Sequence, residues 1–151
     1  NFPVLYRNDG GFTFGDATVA AGLSKQPPTS QAAWADFDRD GDQDLATAGR
    51  LFENRGSDHH WLEVRLRGDG TIVNGSAIGT QVRVKLDGHT LTRQVEAGTG
   101  EGNQNDLVLH FGLGARTAPV DLEICWPNGK IQSAVAVNVD QLVDYRFGDS
   151  P

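Results

Sequence analysis

Helix periodicity is nearly absent from this chain, and its nineteen glycines punctuate short runs that alternate or are β-branched. Seven such runs fill the last two thirds: Trp61-Leu-Glu-Val-Arg-Leu, Gln81-Val-Arg-Val-Lys-Leu, Leu91-Thr-Arg-Gln-Val, Leu107-Val-Leu-His-Phe, Val120-Asp-Leu-Glu-Ile, Ile131-Gln-Ser-Ala-Val-Ala-Val and Leu142-Val-Asp-Tyr-Arg-Phe. Strands of this length separated by turn signals predict an antiparallel β-sandwich. Asp87-Gly88 and Pro127-Asn128-Gly129, each between two runs, predict hairpin turns. Alternation of Leu62, Val64 and Leu66 with Glu63, Arg65 and Arg67 directs one face to the core and the other to water.

The first third follows a different rule. Leu5-Tyr6-Arg7-Asn8-Asp9-Gly10 recurs as Leu51-Phe52-Glu53-Asn54-Arg55-Gly56, an offset of 46 residues, which is the length of a propeller blade. A single repeat of that kind is rarely stable alone. Either earlier blades have been removed or the unit leans on the sandwich. The organisation expected is therefore all-β, with a propeller-blade-like repeat over residues 1–55 and a sandwich over 56–151, the boundary falling near Asn54 to Ser57.

Inside the repeat, five aspartates fall within nine residues: Asp36, Asp38, Asp40, Asp42 and Asp44, with Gly41 among them. Two carboxylates about 4 Å apart repel by roughly 4 kcal/mol at an effective dielectric near 20, so a tight turn of them calls for a cation. Ca2+ suits best, because it accepts carboxylates, a carbonyl and water together, where magnesium demands a stricter octahedron. Asp36, Asp38 and Asp40 converge by alternation, Gly41 makes the turn and Asp44 closes the site. Asp42, at the seventh position, contributes its main-chain carbonyl and leaves its side chain to water. An EF-hand is excluded, since its twelfth position is Thr47 and the flanks carry no amphipathic helices. The alternative is a solvated acidic turn with no metal.

These residues carry a family likeness. From Leu5 to Asn54 the chain resembles an FG-GAP or VCBS repeat of the integrin-like β-propeller kind, a likeness that implies a calcium loop with Asp36, Asp38, Asp40 and Asp44 as side-chain ligands and Asp42 through its carbonyl. From about Asn54 to Phe147 it resembles the ASPIC/UnbV domain, which follows such repeats in cartilage acidic protein and its bacterial relatives. That likeness rests on His60-Trp61-Leu62, Asn74-Gly-Ser-Ala-Ile-Gly-Thr-Gln-Val, Gly98-Thr99-Gly100, Leu109-His-Phe-Gly-Leu-Gly and Trp126-Pro-Asn-Gly. Thr80-Gln81 and Glu101-Gly102-Asn103 depart from the family pattern, and the second loop carries no expected role. The resemblance implies a secreted, extracellular or cell-surface protein that binds or adheres.

Charge and the remaining motifs narrow the function. A net charge of −7 argues against nucleic acid and against anionic membranes, and no run of eighteen apolar residues is present to span a bilayer. The chain has no initiating Met or leader, so Asn1 is expected to begin a mature product or a cut piece of a longer one. Cys125 has no disulfide partner and is expected to be a buried small residue. Histidines 59, 60, 89 and 110 lack zinc-ligand spacing, and His110 reads as a hydrogen-bonded strand residue rather than a base. Ser76 and Ser133 lack a nucleophile elbow, while Gly98-Thr-Gly and Gly112-Leu-Gly open no helix and read as turns. Asn74-Gly-Ser matches a glycosylation acceptor. Trp34, Trp61 and Trp126 are core anchors or a sugar-stacking platform.

The expectation is thus a noncatalytic, calcium-binding extracellular module for protein or matrix contact. The alternative is a carbohydrate-binding module in which calcium orders a loop. Partners expected are a protein, matrix or glycan, with a homodimer through an exposed edge strand.

Overall fold

The structure is a computed structural model that describes residues 2–56, 58–100 and 102–149. Asn1, the boundary residue Ser57 and the departing Glu101 lie outside the described residues. Twelve strands and no helix make up the described chain.

Seven of them form the sandwich. One layer holds β6 (His60–Arg67), β9 (Leu109–Gly114) and β12 (Gln141–Arg146) in the order β12-β6-β9, and the other holds β7 (Gln81–Leu86), β8 (His89–Gln94), β10 (Val120–Cys125) and β11 (Ile131–Val137) in the order β11-β10-β7-β8. Period-two alternation supplies the core: Leu62 and Val64 face Phe111 and Leu109 across one pair, and Val82 and Val84 face Ile124 and Leu122 across another. All eight are buried. Burying each such side chain stabilises by about 1.5–3 kcal/mol before chain entropy is subtracted. Trp126 joins them, 4% exposed, its ring meeting Phe147 edge-on at 5.3 Å and its Nε1 donating to Gln132 Oε1. It is a core anchor, not a platform on the sandwich surface.

The predicted turns hold, with Leu86 paired to His89 around Gly88 (φ 85°) and Gly129 at φ 85° closing on Trp126 O. Several details differ from expectation. β12 lies parallel to β6, since the chain leaves β11 in the other layer and crosses over before pairing. Gly112-Leu-Gly is no turn but part of β9, where Gly112 stands opposite Trp61. Cys125 is half-buried beside Glu123 rather than in the core, because it shares the outward register of that residue.

The repeat contributes two small sheets: a hairpin of β1 (Tyr6–Gly10) with β2 (Thr13–Asp16), and the antiparallel trio β3 (Ala32–Ala35), β4 (Asp44–Thr47) and β5 (Arg50–Phe52). Its two sequence copies share local structure. Asn8 Oδ1 accepts from Gly10 N at 2.9 Å and Asn54 Oδ1 from Gly56 N at 3.4 Å, and both glycines have positive φ (86° and 81°). Among the described residues no propeller is closed.

Candidate metal centre

The aspartate loop is the connection from β3 to β4, whose ends pair at Ala35 and Asp44. Its aspartates first serve the backbone. Asp36 is buried, its Oδ1 accepting from Arg39 N at 2.7 Å and its Oδ2 from Gly41 N at 2.9 Å, while Asp38 and Asp40 accept from the amides two residues on. These short-range bonds hold a turn that places Arg39 at φ 63° and Gly41 at φ 97°. Asp36, Asp38 and Asp40 then converge, each offering an oxygen within 4.8 Å of the others. Partial desolvation, then the negative charges of Asp40, Asp44 and Asp36, push the Asp38 carboxyl above its ordinary value.

Asp42 and Asp44 stand apart from that trio. Asp44, 2% exposed, anchors two segments: its Oδ1 accepts from Asn54 N at 2.8 Å and its Oδ2 from Phe37 N at 3.0 Å. Its free lone pairs leave it able to take a cation as well. The Asp42 side chain lies against Gly56 rather than pointing freely into water. The donor set is all-oxygen and anionic, which fits a hard divalent cation.

What lies behind the loop was not legible in the sequence. The outer face of the β6–β9 pair, expected to meet water, is covered by the repeat. Trp61 packs on Gly41 so closely that a Cβ there would overlap the indole. His110 Nε2 donates to Gly41 O at 2.7 Å, which fixes the hydrogen on Nε2. Glu63, cross-strand from His110, is only 4% exposed. Burial first, then the charges of Asp36 and Asp106, push its carboxyl up to about 7, with Arg65 and Arg39 pulling the other way.

A second contact closes the edge of β3. Trp34 N donates to Asn105 Oδ1 at 3.0 Å, Asp106 N donates to Trp34 O at 2.9 Å, and Asn103 Nδ2 donates to Ala32 O. Asn103, the last residue of the loop that departs from the family pattern, thus begins the strap that seals an open sheet edge. Beside it runs a cleft of about 460 Å³ lined by Trp34, Gln43, Gln94, Glu96, Asn105 and Asp106, among others.

Other predicted residues fall elsewhere. His60 Nδ1 pairs with Asp140 Oδ2 at 2.7 Å, and both amide atoms of Asn74 bond the backbone of Ile78. The described residues include no helix long and apolar enough to cross a membrane.

A two-layer β-sandwich carrying a small acidic-loop unit against one face defines the class. The profile of the family described as ASPIC and UnbV matches residues 70–150, just over half the chain, and the chain belongs to that family. A search of curated proteins finds no match.

Proposed function

We propose that the chain is a noncatalytic, calcium-binding extracellular module for protein or matrix contact, in which residues 1–55 form an FG-GAP/VCBS-type repeat and residues 56–151 the sandwich. The observation that carries this reading is the convergence of Asp36, Asp38 and Asp40 in a strand-to-strand loop whose glycine sits at φ 97°. The matching Asn-Gly turns of the two sequence copies support the repeat.

Calcium here is structural, neutralising the carboxylates and holding the turn. Extracellular modules bind in roughly the 0.1–1 mM range, so the site fills outside cells. At a free concentration 100 times the dissociation constant, one site adds about 2.7 kcal/mol of folding stability. In 10 mM CaCl2, roughly 10 to 100 times that range, the gain is about 1.4–2.7 kcal/mol, so melting there should occur several degrees above melting in EDTA. Equal melting temperatures would end the calcium reading.

Protein contact is supported by the β1–β2 hairpin, which presents Tyr6 and Phe14 to solvent and holds Phe12, 99% exposed, at its tip. Since β3 is strapped, the edge of that sheet we assign to pairing with a second copy is β5.

One observation favours a carbohydrate-binding module instead. The cleft beside Trp34 pairs an aromatic surface with amides and carboxylates, the usual composition of a sugar site. Binding on a glycan array that disappears in Trp34→Ala would move the assignment there.

A further inference from the structure

Glu63 is the least explained charge in the molecule. Its register is set by β6, where Trp61 and Glu63 project from the same face, and by β9, where His110 stands directly across from it. Trp61 packs on Gly41 and His110 bonds the Gly41 carbonyl. A carboxylate held between two side chains that both grip residue 41 is therefore held under the aspartate loop. Asp36 is the strongest charged influence on it, ahead of Asp106, Arg65 and Arg39. Among the described residues no hydrogen bond or ion pair reaches its oxygens, although it is 4% exposed. A carboxylate on a residue 4% exposed, with no protein partner and two acidic neighbours, is costly even though its oxygens keep some contact with water, and the cost falls when a cation shares the space.

We propose that Glu63 is a working member of the cation site, a carboxylate supplied by the sandwich. It would strengthen the binding of a hard divalent cation at Asp36, Asp38 and Asp40 and tie that binding to the docking of the two units. The inference rests on the calcium reading above. Glu63 stands outside the group whose oxygens lie within 4.8 Å of one another, so it acts on the ion through its field rather than by closing the coordination shell. Because the charge comes from β6, ion binding rewards the arrangement in which the repeat sits on the sandwich. The same charge destabilises the empty protein by repelling Asp36.

Two opposite effects of one substitution test this. Calcium chloride is titrated calorimetrically into the full chain at pH 8.5, where Glu63 is ionised, and melting is followed in EDTA. Wild type should bind, and Asp38→Asn should bind far more weakly. Glu63→Gln should bind about tenfold more weakly than wild type yet melt at a higher temperature in EDTA, the sign expected of a removed like charge. Glu63→Asp keeps the charge and should hold affinity within about threefold.

Wild-type affinity in Glu63→Gln would overturn the proposal while leaving the calcium reading intact. So would a Glu63→Gln protein that melts lower in EDTA or fails to fold, because a neutral isostere of a repelled charge should only relieve strain. Equal weakening in Glu63→Asp would assign the effect to shape rather than charge. A wild-type protein that takes up no calcium would remove both readings together.

Discussion

Two residues decide how the loop is built. Gly41 is required twice, once by its φ of 97° and once by the indole of Trp61, whereas Gly129 has a similar φ of 85° and open space around it. Backbone strain of this kind costs of order 1–3 kcal/mol for a residue with a Cβ. Gly41→Ala should therefore lose clearly more stability in urea unfolding than Gly129→Ala, the difference measuring the indole contact. Glu63 makes the second prediction. Its folded carboxyl titrates at about 7 against an ordinary 4.5, so between those values the folded state holds more protons than the unfolded one and stability falls as pH rises. Asp36, Asp106, Arg65, Arg39 and His110 are the titratable groups facing it. In EDTA, melting at pH 5.5 should exceed melting at pH 8.5, and Glu63→Gln should flatten that slope. The window stays above the range where Asp140, held low by the His60 hydrogen bond, begins to take a proton. Asp36, Asp38 and Asp40 were legible as a trio from their spacing alone. Asp44 was not legible as a backbone anchor, since its amide partners, Phe37 and Asn54, are chosen by the folded chain.

At the scale of elements, β6, β7, β9 and β10 could be read from alternation, because one face of each is buried and the period is two, while β8, β11 and β12, which bury little, were read from short β-rich runs between turn signals. Alternation names two faces and says nothing about what covers the second. Trp61, Glu63 and His110 were therefore read as surface or core when they form a contact between units. The strap from Asn103 to Asp106 was equally hidden, as it has no periodicity and works through individual amides. Asn105→Ala leaves the half-buried Trp34 amide unpaired and should cost about 1–3 kcal/mol. Asp106→Ala keeps its backbone bond to Trp34 O, loses only an exposed bond from Val108 N, and removes a charge that raises the Glu63 carboxyl, so it should cost less. Amide hydrogen exchange at Trp34 should rise in the first variant and stay protected in the second. The parallel pairing of β12 was unreadable for another reason: nothing within Leu142 to Phe147 records the direction of its neighbour.

For the molecule as a whole, missing helix periodicity and dense turn signals pointed to an all-β chain, and the repeat of Leu5 to Gly10 at Leu51 to Gly56 pointed to a distinct first unit. The alternative that this unit leans on the sandwich describes the contact seen. The strap on β3 has a consequence for anyone who would dissect the chain. Excise the first unit and an indole, an imidazole and an acid lose their roof; excise the second and a β-strand is left with bare amides, a ready seed for clumping. Each half serves as the other's lid, so expression trials of either alone should be judged by solubility before any assay of binding is believed.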